Sequence, residues 1–162
     1  MKKVFAMFAA VLFCGAMMVS CNKDDNKTDD KQLTKADMVG TWEGTYDGTA
    51  TINNANEKYT IKWTLELNPE GSNTIGSLKY HTTFQTLEDL NGVAPVTDFY
   101  VRDNTNTGRI VITGGPALGF LDAMFDFDMD ASAKSMKGVL EVHCVFGADD
   151  VTLGGETTLN KK

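Results

Sequence analysis

The chain is poor in the parts that most chemistry needs. Its 162 residues hold two histidines, three cysteines, and fifteen basic side chains against twenty-two acidic ones. A formal charge of −7 excludes the broad basic surface of a nucleic-acid binder, because neutralising phosphates takes clustered Lys and Arg. No G-x-S-x-G elbow presents a nucleophile, and His81 and His143 both fall on the polar parity of their strands. A Ser-His-Asp arrangement is therefore not expected, and the chain reads as a non-enzyme without a cofactor. It is too short for a two-domain enzyme and, at 42% apolar, too apolar to be disordered throughout. Beyond the rhythm of its hairpins it shows no internal repeat of about 20 to 50 residues.

What is present begins with residues 1–20. Lys2 and Lys3 precede an unbroken apolar and small-residue run from Val4 to Val19, followed by Ser20 and Cys21. A basic head, an apolar middle and a small residue before a cleavage point make a secretory signal. The polar, acidic sequence that follows lacks the positive flank of a retained membrane helix, so removal of the segment is expected. Met18-Val19-Ser20-Cys21 resembles the lipobox of bacterial lipoproteins. The resemblance implies that Cys21 becomes the lipidated first residue of the mature chain, with the membrane as its partner. Two or more acyl chains hold firmly where one is marginal, since each buried methylene contributes about 0.8 kcal/mol.

Asn22 to Gln32 contain no apolar side chain, so residues 21–33 read as the lipidated Cys and a disordered acidic tether. The Lys23-Asp24-Asp25 start is similar to the acidic tracts after the anchor Cys in surface-exposed lipoproteins of the Bacteroidota. This implies an outer-membrane protein displayed on the outer leaflet, with the periplasm-facing leaflet as the alternative. Loss of residues 1–20 removes two lysines and no acid, taking the charge from −7 to −9. Residues 22–38 carry four Lys and five Asp, which leaves −8 on the part from Val39 onward. That sign favours solubility and repels anionic head groups. With Cys14 in the signal and Cys21 lipidated, Cys144 is the one remaining thiol, placed between Val142 and Phe146 as a small buried hydrophobe.

From Thr41 onward the dominant period is two, the signature of half-buried strands. Tyr59, Ile61, Trp63, Leu65 and Leu67 share one face, and Lys58, Thr60, Lys62, Thr64 and Glu66 the other. Similar runs at about 40–53, 74–85, 96–102, 109–113, 120–130, 136–146 and 150–159 give eight strands. Turn chemistry separates them at Asn53-Asn54-Ala55-Asn56, Asn68-Pro69-Glu70-Gly71, Asn104 to Gly108, Gly114-Gly115-Pro116, Ala131 to Lys134 and Gly147 to Asp150. Short connections pair sequential neighbours antiparallel. Thr86 to Gly92 reads as one capped helical turn, and Thr34 to Met38 as a second, each with an Asp three residues after a Thr. The architecture expected over residues 34–162 is an all-β, eight-stranded, antiparallel up-and-down barrel, with a β-sandwich as the alternative.

A helical turn followed by Val39-Gly40-Thr41-Trp42 resembles the G-x-W signature of lipocalins and related calycin barrels. The resemblance covers about residues 34–162 and implies a lipocalin-like lipoprotein domain whose Trp42 plugs the closed end of the barrel. Lipocalins usually set an Arg of the last strand against that Trp; the nearest cation here is Lys161.

Two groups of residues stand out as candidate sites. The first is the expected barrel lining, Tyr59, Trp63, Tyr80, Phe84, Phe125, Phe127, Leu140 and Val142. An eight-stranded barrel is just wide enough to be filled by side chains or to hold one small ligand. The second is Asp126, Asp128 and Asp130 on one face of a single strand, about 6.5–7 Å from one to the next. Three carboxylates in a row need a cation opposite them. Calcium is one option; the other is an outward ladder in which Lys137, across the 131–134 turn, falls near Asp128. Two functions follow as expectations. One is a membrane-anchored binder of a small apolar, amphipathic or glycan-derived molecule. The other is a filled-core interaction module, adhesin-like or protease-inhibitor-like, that uses the 86–96 loop and the Gly114-Gly115-Pro116 turn as contacts.

Overall fold

The computed structural model describes residues 32–115 and 119–162. The expected signal, Cys21 and the tether up to Lys31 lie outside the described residues. A short helix, α1 (Lys35–Met38), leads into eight strands: β1 (Gly40–Ile52), β2 (Ala55–Leu67), β3 (Gly76–Phe84), β4 (Leu90–Val101), β5 (Thr107–Gly115), β6 (Phe120–Met129), β7 (Ser135–Phe146) and β8 (Asp149–Lys161). Each strand pairs antiparallel with the next, and β8 returns to β1 to close a barrel. Closure removes the free sheet edges that a sandwich would leave.

Local chemistry sets the register. Asn53 and Asn54 both take positive φ, 49° and 61°, the conformation of a two-residue type I′ hairpin, which fixes Ile52 opposite Ala55. At the 130–135 turn the Asp130 carboxylate accepts the amides of Lys134 and Ser135, each at 2.8 Å, and the Ser132 hydroxyl. Those bonds hold its pKa below the usual carboxylate value, with Ser132 the largest cause. Ala133 in the same turn sits at φ 55°, where a Cβ crowds the backbone. Ala133→Gly is expected to raise the unfolding free energy by up to about 1 kcal/mol. A lower urea midpoint in the variant would contradict this.

The end of the barrel next to α1 is closed as the G-x-W resemblance implies. Trp42 is fully buried and donates its indole N–H to the Met38 carbonyl at 2.8 Å. Lys161 lies 5.2 Å from the Trp42 ring and donates to the Asp37 carbonyl at 2.7 Å, so a lysine fills the place of the arginine. The Asp37 carboxylate in turn accepts both the amide and the hydroxyl of Thr34 at 2.9 Å.

The helical turn expected over Thr86 to Gly92 is not formed. Thr86 bonds Glu57, and Asp89 accepts from the Phe84 amide and contacts His81. Leu90, Asn91 and Gly92 extend β4 against Thr82, His81 and Tyr80. A β-bulge between Val96 and Asp98 shifts the alternation in the middle of β4. Ala94 and Val96 point inward before it and Phe99 after it, so no single period spans the strand.

Candidate functional site

The barrel interior gathers the expected lining. Tyr59, Trp63, Tyr80, Phe125, Phe127 and Leu140 are buried in one continuous core, against which Phe84 and Val142 are half-buried. Trp63 meets Phe125 edge-on at 5.1 Å between ring centroids, and Phe125 stacks on Phe127 at 5.9 Å. Tyr80 meets Phe120 at 4.8 Å, while Tyr46, Tyr59, Phe84 and Phe146 form a chain of rings. The last four lie toward the mouth, the end that carries the 53–54, 85–89 and 147–148 connections.

So many rings fit into eight strands because glycines stand opposite them. The register pairs Gly44 with Trp63, Gly48 with Tyr59, Gly92 with Tyr80 and Gly108 with Phe127. A Cβ on Gly44 would lie 2.7 Å from Trp63 Nε1, one on Gly48 2.5 Å from the Tyr59 hydroxyl, and one on Gly92 2.8 Å from the Tyr80 hydroxyl. On Gly108 it would collide with Phe127 and with the Tyr100 carbonyl. Each ring thus occupies the volume a side chain would have taken. The void left between Trp63, Tyr80, Phe120 and Leu140 measures about 20 Å³, roughly the room one water needs.

Rings that reach under glycines also help close the barrel. The registered β1–β8 pairs are Trp42 with Lys161 and Glu43 with Asn160. Nearer the mouth, side chains bridge the seam. Tyr59 passes under Gly48 to accept the Gly154 amide at 2.9 Å, Thr157 donates to the Thr45 carbonyl at 3.2 Å, and Asp149 accepts the Asn53 amide at 2.7 Å. Trp63 reaches under Gly44 in the same way, but its indole N–H is buried without a hydrogen-bond partner. Burial raises the pKa of Tyr59 and Tyr80, and it pushes the Cys144 thiol up to about 12. Cys144 is therefore an inert core hydrophobe.

Asp126 and Asp128 on β6 and Asp130 just past its end are engaged separately. Asp126 accepts two bonds of 2.7 Å from Arg109, which hold its carboxyl below the usual range. Asp128 stands opposite Lys137, as the hairpin predicts, and Asp130 caps the turn. Among the described residues no group of three His, Cys, Asp or Glu side chains is placed to hold a metal ion. His143 pairs with Asp122 at 2.7 Å and His81 with Asp89 at 3.2 Å, all four partly exposed.

Two features escaped the sequence reading. Arg109 as the partner of Asp126 needs the β5–β6 register, which no local pattern supplies. Glu57 is a carboxylate on the inward parity of β2, two residues before Tyr59, and it is buried. Its parity was a usable signal. It accepts the Thr86 amide at 2.5 Å and the Thr86 hydroxyl at 2.7 Å, and these bonds, the hydroxyl first, lower its pKa.

The outer wall has two faces. Solvent-facing positions on β1, β2, β3 and β8 carry hydroxyl, amide, imidazole or charged side chains, apart from Ala55 and Gly154. On β4, β6 and β7 Val93, Leu121, Val139 and Val145 are exposed, and Val111 lies opposite Met124 between the Arg109–Asp126 and Asp122–His143 pairs.

The fold is a closed, eight-stranded, antiparallel up-and-down barrel, consistent with a lipocalin-like arrangement. Set against protein-family models, curated proteins and solved structures, the chain matches none. No helix among the described residues is long and apolar enough to cross a membrane.

Proposed function

We propose that this protein is a lipoprotein of the outer membrane, tethered through Cys21, whose barrel is a surface interaction module. The observation that supports this best is the packed interior: rings seated on glycines leave about 20 Å³, far below the roughly 300 Å³ at which small-molecule pockets begin. Function then falls to the outside. Apart from Ile75 in the β2–β3 connection, the exposed large apolar side chains stand on β4, β6 and β7, and they supply contact area that the Thr- and Lys-bearing opposite wall does not. The second reading, a small apolar or glycan-derived ligand, draws on the Tyr59, Phe84 and Phe146 rings beneath the mouth.

A pair of photo-crosslinkers separates the two walls. A crosslinker at Val139 is expected to capture a discrete protein partner in cells, while one at Thr60 captures none. Native mass spectrometry of the mature protein after exposure to a lipid extract is expected to show no stoichiometric adduct. A retained apolar molecule would instead favour the barrel binder. Metabolic palmitate labelling that survives Cys21→Ala would remove the anchor.

A further inference from the structure

We propose that residues 85–89 form a lid over the barrel mouth, latched by the Glu57 carboxylate and released by acid. The inference goes beyond the interaction reading and is independent of the anchor.

Glu57 is the one charged side chain among the buried residues described. It points inward from the first turns of β2, and what covers it is the lid itself. Thr86 gives it both an amide and a hydroxyl hydrogen bond, with the nearby Leu87 amide a smaller cause of its lowered pKa, while the Gln85 amide donates to the Lys58 carbonyl at 2.9 Å. Two donors of one residue on one anion suit the ionised form and not the protonated one. Leu87 packs half-buried on the core, and the rings of Tyr59, Phe84 and Phe146 follow one another at the same end of the barrel, so lifting the segment bares the part of the core that Leu87 packs on.

Tyr46 and Asp47 of β1, Lys58 and Tyr59 of β2, His81 of β3, Glu88 and Asp89 of the lid, and Asp149 and Asp150 at the start of β8 are titratable groups of the surrounding elements. Glu57 forms no ion pair with Lys58, which faces outward. Asp89 accepts the Phe84 amide and Asp149 the Asn53 amide, but Glu57 is the buried carboxylate at this end and the one that bonds Thr86. Because its folded pKa is lowered, the latch is at full strength above the ordinary Glu value and is lost as pH falls through the lowered one.

Residue-resolved amide exchange on the mature protein from neutral pH downward, corrected for intrinsic rates, reads this directly. The amides of Thr86 and Leu87 are expected to lose about tenfold or more of their protection in acid, while those of Ile110 and Phe125 keep theirs. Glu57→Gln is expected to show the loss already at neutral pH, and His81→Gln to leave the acid response intact. Should Glu57→Gln fold poorly, the wild-type Glu57 carboxyl carbon and Thr86 amide shifts are expected to titrate together. Protection at Thr86 and Leu87 that persists until the whole barrel unfolds, or that increases in acid, would overturn the latch; so would shifts that titrate apart.

Discussion

Gly44→Ala is expected to cost about 3 kcal/mol of stability, and Trp63→Leu in the same chain to return part of that loss. The new methyl would meet Trp63 Nε1 at 2.7 Å and Leu159 Cδ2 at 2.6 Å, with the Thr158 carbonyl at 3.0 Å. Two of those three are side chains, so a smaller residue at position 63 creates the room the methyl lacks. Trp63→Leu alone leaves a cavity and is expected to cost about 3 kcal/mol. The signature is therefore non-additivity, read from a double-mutant cycle by chemical denaturation. A control sits at Gly115, where a Cβ would meet nothing within 4 Å; Gly115→Ala is expected to stay within about 0.5 kcal/mol of wild type. Strictly additive losses at Gly44 and Trp63 would mean that the ring does not rest on the glycine.

The second large effect is at the closed end of the barrel, two residues from Gly44 on β1. Trp42→Ala removes a fully buried indole, its bond to Met38 and the surface beneath Lys161, and is expected to cost about 4 kcal/mol. Lys161→Met keeps the stem and loses the ammonium that holds the Asp37 carbonyl. It is expected to cost about 1 kcal/mol and to free α1 ahead of the barrel. Exchange of the α1 amides separates the two outcomes. If α1 stays as protected as β1 in Lys161→Met, the lysine is not what seats it.

These effects show what the sequence discloses and what it hides. Strict alternation in β2, from Tyr59 to Leu67 against Lys58 to Glu66, is enough to place each of those side chains on its observed face. The Asn53-Asn54 turn and the Thr34–Asp37 pair are equally local and equally legible. β4 is less so, because the bulge at Val96 to Asp98 changes parity within one strand. Thr86 and Asp89 look like a helix start because their partners, Glu57 and His81, are remote in sequence from the motif they imitate.

The filling of the barrel was hidden for the same reason. Counting aromatic residues locates the lining, but whether it encloses a cavity depends on which residue faces each ring. That is a matter of register between strands: Gly44 with Trp63 and Gly48 with Tyr59, four residues apart on both strands. The acidic surplus follows the same rule. Asp98, Asp130 and Asp149, like Glu57, serve as acceptors for backbone amides in turns, at the bulge and on the seam, a use that composition does not reveal.

The most direct measurement is nuclear Overhauser contact inside the folded barrel. Strong cross-peaks are predicted between the Trp63 indole N–H and the Gly44 α-protons, and between the Tyr59 ring and the Gly48 α-protons. Absence of both, together with an indole N–H at Trp63 that exchanges as freely as in an unfolded peptide, would contradict a barrel packed solid by rings on glycines.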